Sequence, residues 1–133
     1  MSVVVAHLST PEGREALDSA ATEAVRRGTD LVVVVTEASM ATPELVAAHE
    51  DDLRRVEARL EGTGTTLRRE QGSSDLADDL VGAAERSSAD LIVIGLRRRS
   101  PVGKLILGSN AQRILLDAPC PVLAVKPERP AGV

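Results

Sequence analysis

Four short runs of branched apolar residues constrain the fold of this chain more than any other feature. They occupy residues 3–6, 31–35, 91–94 and 122–125, and longer segments with helical spacing separate them. Continuous apolar runs of this length, rich in Val, Leu and Ile, are typical of parallel strands that are buried on both faces. A more polar segment, residues 65–69, is predicted to be a fifth strand at an edge of the sheet.

Helix start signals follow or lie between these runs. The triplets Thr10-Pro11-Glu12 and Thr42-Pro43-Glu44 each provide an N-cap, a proline at the first helical position and an acid in the first turn. Asp75 begins a third helix. Ser109 is predicted to be the N-cap of a fourth, where Gln112 would complete a Ser-x-x-Gln capping box. Strands and helices therefore alternate, which predicts an α/β fold with a doubly wound, five-stranded parallel sheet.

Composition argues against several classes of partner. The formal net charge of −4 opposes non-specific attraction to nucleic acids and anionic lipids, and no Phe, Tyr or Trp is present on which unpaired bases could stack. No apolar run approaches the ~20 residues that cross a bilayer, and the first residues lack the basic lead of a signal peptide. We therefore expect a single domain over residues 1–133, located in the cytoplasm, with no nucleic-acid and no membrane partner.

Candidates for catalysis are few. Cys120 is the one cysteine and cannot form an internal disulfide, and no Cys or His cluster has the spacing of metal ligands. His49, in a helix among Asp and Glu, is predicted to be solvated. Because no nucleophile stands beside a base and no carboxylate pair must share a site, the chain is predicted not to be an enzyme, with slow ATP hydrolysis left open.

The stretch of residues 95–109 has the layout of a phosphate-binding loop. A glycine ends the strand of residues 91–94, basic residues follow, and Gly108-Ser109 stands where the amides of a helix start could hold an anion. The commonest phosphate loop is absent, since Arg98 and Leu105 occupy two of its required positions around Gly103-Lys104. A loop and a capped helix without any ligand is the equally weighted alternative.

The residues that follow point to a known family. Gly95, then Gly108-Ser109 thirteen residues on, then residues 113–115 and 118–125, together resemble the universal stress protein family. The resemblance implies a Rossmann-like sheet with the strand order 3-2-1-4-5. It also implies a stress-response role and a homodimer formed along the fifth strand. That edge, which would be a liability if left unpaired, consists of Val122, Leu123, Ala124 and Val125.

Many members of this family bind ATP, and the resemblance implies a set of nucleotide-contacting positions. These are His7, Thr36, Ile94, Gly95, Arg98, Gly108, Ser109 and Asn110. The chain departs from the family pattern at two of the places that matter for the nucleotide. Arg98 stands where the family has its second loop glycine, and Leu8 stands where many members carry an aspartate after strand 1.

Two functional hypotheses follow. The first is a dimeric stress-response module that binds ATP or AMP. The second, slightly favoured because of Arg98 and Leu8, is a dimeric module that keeps the fold and the interface without ATP. No obligatory cofactor is predicted, and the protein partner is not specified by any motif. For His7, a structural or solvated role is the alternative to a nucleoside contact.

Overall fold

A computed structural model describes residues 1–96 and 108–126. The strands are β1 (Ser2–His7), β2 (Asp30–Val35), β3 (Leu67–Gln71), β4 (Leu91–Gly95) and β5 (Val122–Val125). The helices are α1 (Pro11–Arg27), α2 (Pro43–Leu60), α3 (Leu76–Arg86) and α4 (Ser109–Asp117), with a short 3-10 turn at Ala38–Met40. Among the described residues, no helix combines the length and apolarity needed to span a membrane.

The five strands form one parallel sheet in the order β3-β2-β1-β4-β5, which confirms the predicted fold class and strand order. The chain winds from β1 towards β3 and then crosses back to β4, so the winding direction reverses between β1 and β4. Parallel sheets of this kind bind ligands beyond the carboxyl ends of the strands at such a reversal.

The alternation of side chains along β1 divides the core into two layers. Val3 and Val5 pack with residues of α1 and α2, whereas Val4 and Ala6 pack with residues of α3 and α4. Successive side chains of a strand point to opposite faces. The same alternation therefore directs His7 towards α2 and Leu8 towards α3 and α4.

Helix starts follow the predicted chemistry, with one exception. The side chains of Thr10 and Thr42 accept hydrogen bonds from the third residue of α1 and α2, both at 3.1 Å. The prediction that Ser109 is an N-cap is wrong by one residue, because Gly108 has the extended N-cap conformation and Ser109 is the first helical residue. Gly108 has no side chain that could accept from the first turn of α4.

The third strand is displaced from its predicted place. Residues 65–69 were expected to form it, and the strand spans Leu67–Gln71 instead. It lies at the edge of the sheet and pairs with β2, as its polarity indicated. Its exposed Arg69 pairs with Glu50 of α2 at 2.8 Å, which lowers the pKa of the glutamate, mainly through this hydrogen bond.

Candidate functional site

A cleft lies over the carboxyl ends of β1, β2 and β4, at the reversal point. Its inner part is a cavity of about 80 Å³ with a mainly apolar lining. Its outer part, of about 340 Å³, shares three residues with the inner part. The inner lining comprises Ala6, Leu8, Glu12, Gly13, Ala16, Leu76, Leu80, Val93, Ile94, Gly95, Asn110, Ala111 and Ile114. The outer lining comprises Leu8, Thr36, Glu37, Ala38, Ser73, Ser74, Leu76 and Asn110.

Two glycines allow α1 to close the floor of this cleft. A Cβ atom on Gly13 would lie 2.3 Å from the carbonyl oxygen of Leu8, and one on Gly95 would lie 2.4 Å from the carbonyl oxygen of Glu12. No side chain fits at such distances from backbone. Gly95 is therefore required by the packing of α1 against β4, whether or not a phosphate binds beside it.

Thr36, a predicted nucleotide contact, lines the outer part of the cleft, and its hydroxyl is hydrogen-bonded to backbone atoms. Its hydroxyl donates to the carbonyl oxygen of His7 at 3.1 Å and accepts from the amide of Ser39 at 3.1 Å. The hydroxyl of Ser39 donates in return to the carbonyl oxygen of Thr36 at 2.8 Å. Thr36 thus anchors the Ala38–Met40 turn to the end of β1.

His7 is not a residue of the cleft. Its ring is fully buried against α2, where Nε2 lies 2.8 Å from Oδ2 of Asp52 and Nδ1 lies 2.9 Å from Nδ1 of His49. Both ring nitrogens are therefore engaged. These bonds favour the structural role that was the alternative for this residue and oppose a nucleoside contact by its ring.

The prediction that His49 is solvated is wrong. Its side chain is 0% exposed and Asp52 is 9% exposed, because both lie on the face of α2 that carries Leu53 and Val56 into the core. The i, i+3, i+4, i+7 spacing of these four residues is the signal that could have revealed this burial. Burial, followed by the neighbouring His7, lowers the pKa of His49 below its ordinary value.

Carboxylates beside the cleft are engaged in holding helix starts. Asp75 caps α3 by accepting from the amide of Asp78 at 3.1 Å. Arg113 of α4 lies 3.1 Å from Asp75 and 2.8 Å from Asp78. The Asp78 amide and the Arg113 guanidinium together hold the pKa of Asp75 below its usual range. Asp79 accepts from the amide and the hydroxyl of Ser73 at 2.6 and 2.8 Å.

The structure brings several predicted nucleotide-contacting residues to one place. Ile94 and Gly95 line the inner part of the cleft, and Asn110 lines both parts. Gly108 and Ser109 immediately precede Asn110 at the start of α4. By helix geometry, the first amides of α4 have no intrahelical acceptor, which makes them suited to an anion. Arg98, another predicted contact, lies outside the described residues.

The far edge of the sheet carries exposed apolar side chains. In the part of the chain that the structure describes, β5 pairs with β4 and its other edge faces outward. Leu123 of β5 is 37% exposed, and Leu115 and Leu116 of α4 are 47% and 83% exposed. An outward-facing strand edge that carries an exposed large apolar side chain such as Leu123 is a feature of protein interaction surfaces.

Comparison with known proteins agrees with this architecture. Residues 1–126 match the family model of the Universal stress protein family. A universal stress protein of Mycolicibacterium smegmatis is 42% identical over 126 residues, which cover 94% of this chain and 97% of that protein.

Solved structures of universal stress proteins are similar to this chain. A universal stress protein of Archaeoglobus fulgidus has a TM-score of 0.68 at 32% identity, covering 93% of this chain and 97% of that one. The structure of the universal stress protein from the same organism in complex with dAMP has a TM-score of 0.65 at 26% identity, covering 93% and 96% of the two chains. The family match, the identity over nearly the full length and the shared sheet topology all agree: this chain belongs to the universal stress protein family.

Proposed function

We propose that this chain acts as a homodimeric stress-response module that works through its protein surface and does not depend on bound ATP. The inner cleft carries the proposal. Its volume of about 80 Å³ is well below the ~300 Å³ at which small-molecule pockets begin, so the inner part by itself does not hold a nucleotide. Leu8 adds an apolar side chain where the resemblance implies an aspartate, and the nearby Asp75 and Asp79 are already engaged.

The arrangement of polar groups supports a module without catalytic turnover. The Thr36 hydroxyl donates to a backbone carbonyl, and the Ser73 hydroxyl donates to Asp79, whose carboxylate is also held by the Ser73 amide. The two histidine rings are hydrogen-bonded to each other and to Asp52, and neither lines the cleft. General-base activation requires hydrogen-bond reach between base and nucleophile. We expect a cytoplasmic protein with no enzymatic activity of its own.

The proposed dimer uses β5. The outward edge of Val122–Val125 and the exposed Leu115, Leu116 and Leu123 supply the backbone groups and the apolar area that a second copy would cover. The unknown protein partner of the module would then meet surfaces away from this edge.

Adenine-nucleotide binding is the second candidate, and a specific set of observations favours it. The outer part of the cleft, of about 340 Å³, reaches Asn110 at the start of α4. The relative from Archaeoglobus fulgidus, 26% identical, has been solved in complex with dAMP. In this function, Gly95, Gly108 and Ser109 would meet the phosphates, and Thr36 and Ile94 would lie near the nucleoside.

Ultraviolet absorption separates the two functions cleanly, because the chain has no Phe, Tyr or Trp. We expect the purified protein to leave gel filtration without the absorption band of adenine, and we expect no heat on titration with ATP or AMP. A retained adenine band or saturable heat at micromolar nucleotide would establish the second function and overturn the first.

The variant Arg98→Gly is measured for ATP binding beside the unmodified protein, because it restores the glycine of the family pattern. We expect it to confer measurable ATP binding, whereas Arg97→Gly, a neighbouring arginine outside the motif, should leave the protein without binding. Equal gains in binding by the two variants would show that the bulk of the arginine side chains, and not the missing glycine at position 98, keeps ATP out.

A further inference from the structure

A cluster of titratable side chains is buried between the end of β1 and α2, outside the lining of the cleft. His7 at the end of β1 and His49 of α2 are both fully buried, and their rings meet edge to face with centroids 4.4 Å apart. Asp52, one turn further along α2, completes the cluster at 2.8 Å from His7 Nε2. The Nε2 atom of His49 is buried without a hydrogen-bond partner among the described residues.

The hydrogen bonds of the cluster limit how many protons it can hold. With Asp52 ionised, His7 Nε2 carries a hydrogen and donates to the carboxylate, so His49 Nδ1 donates to His7 Nδ1 when both rings are neutral. One added proton is accommodated without breaking this bond: it enters at Nε2 of His49, and His49 Nδ1 still donates to His7 Nδ1. A second added proton places hydrogens on both Nδ1 atoms, which face each other at 2.9 Å, and the bond is lost.

The cluster joins α2 to the rim of the cleft. His49 and Asp52 lie in the first ten residues of α2, and α2 follows the Ala38–Met40 turn. The backbone carbonyl of His7 accepts the Thr36 hydroxyl that anchors this turn. A shift of α2 relative to His7 therefore moves Thr36 and Ala38, and both residues line the outer part of the cleft.

We propose that His7, His49 and Asp52 form a proton-operated latch that holds α2 on the end of β1 in neutral solution. In mildly acidic solution the second proton separates the two rings. The first half of α2 and the Ala38–Met40 turn then loosen, and the outer part of the cleft changes shape.

The charges around the latch come from each neighbouring element. Arg14 of α1 lies 3.6 Å and Arg55 of α2 lies 3.7 Å from Asp52. Glu50 of α2 and Arg69 of β3 also act on His49, with opposite signs. Arg14 and Arg55 both face the Asp52 carboxylate, which is the hydrogen-bond partner of His7 Nε2.

The sign of the pH effect follows from the direction of the shift. The pKa of His49 in the folded protein is lowered from its ordinary value of 6.5, first by burial and then by His7. As the pH falls below the ordinary pKa of 6.5, the unfolded or opened chain binds more protons than the latched chain. Latched α2 therefore loses stability as the pH falls below about 6.5, and most carboxylates remain ionised until about pH 5.

Hydrogen exchange followed by mass spectrometry tests the latch on the full chain. After correction for intrinsic rates, we expect amides of α2 and of residues 38–40 to exchange about tenfold faster at about pH 5 than at about pH 7.5, with α3 and α4 unchanged. The two histidines of the chain both belong to the latch, so their ring proton signals in NMR report its titration without interference.

His49→Asn removes the titrating group while its amide can still donate to His7 Nδ1. We expect this variant to lose the acid response of α2, and Glu50→Gln, which removes a neighbouring carboxylate, to retain it. If His49→Asn fails to fold, His49→Gln and the wild-type NMR titration decide the question. An acid response that persists without His49, or wild-type α2 that stays protected while a histidine titrates, would overturn the latch.

Discussion

Two glycines of this fold differ in which atoms an added Cβ would contact. At Gly13, in the first turn of α1, an added Cβ would lie 2.3 Å from a backbone oxygen that cannot move without shifting the end of β1. At Gly82, in α3, the nearest atom would be the guanidinium of Arg86 at 2.9 Å, which is the far end of a flexible side chain. The free-energy cost of an added side chain therefore depends on whether backbone or a movable side chain lies beyond the Cα atom.

The matched pair of alanine variants tests this difference. Gly13→Ala should destabilise the protein by about 1–3 kcal/mol through overpacking. Gly82→Ala should stabilise it by about 0.5–1 kcal/mol, because a helical alanine loses less backbone entropy than glycine. Urea unfolding followed by helical circular dichroism measures both. Equal effects of the two substitutions would contradict the close approach of α1 to β1.

At the scale of elements, the starts of α3 and α4 are joined by one arginine. Arg113 reaches from α4 to the capping carboxylate Asp75 and to Asp78 in the first turn of α3. Asp75 has two tasks there, because it also accepts from the amide of Asp78. Asp78 contributes its side chain to the ion pair alone, and exposed ion pairs add little to stability.

Asp75→Ala should therefore lower the thermal midpoint clearly more than Asp78→Ala does, because it removes a helix cap as well as an ion pair. The pKa of Asp75 is lowered from 3.8, so its contribution is present above that pH and is lost as the pH falls through the lowered value. Melting curves at neutral and at acid pH check both points. Similar midpoints for the two variants would show that Asp75 acts only through Arg113.

At the scale of the whole molecule, the outward edge of β5 is the surface on which the proposed dimer depends. Leu123 on that edge and Val46 on α2 are similarly exposed, at 37% and 36%. They lie on different parts of the surface, one on the edge strand and one in the first turn of α2. Only Leu123 should matter for assembly through β5.

Leu123→Lys should shift the sedimentation coefficient from dimer towards monomer, since a charge on the edge opposes pairing with a second copy. Val46→Lys introduces the same charge away from the edge and should sediment as the wild type does. Sedimentation velocity at several concentrations makes the comparison. A dimer that survives Leu123→Lys would place the interface on another surface.

Much of the fold was predictable, because its signals are local. The four apolar runs and the caps Thr10, Thr42 and Asp75 lie at the expected elements, and the polarity of β3 correctly indicated an edge. The strand order came from the family resemblance, not from periodicity. The site was less predictable: Ile94, Gly95, Thr36 and Asn110 line the cleft, whereas the ring of His7 is buried against α2.

The sequence by itself determined the class of fold and the family, because apolar runs, helix caps and the spacing of Gly95 to Gly108 are properties of neighbouring residues. The tertiary structure alone decided which partners the buried polar residues have. His49 and Asp52 share a helix face with Leu53 and Val56, but only the packing of α2 on β1 joins them to His7, and only the approach of α1 makes Gly95 necessary for packing. Burial and close approach depend on which elements pack together, and that information lies in residues far apart along the chain.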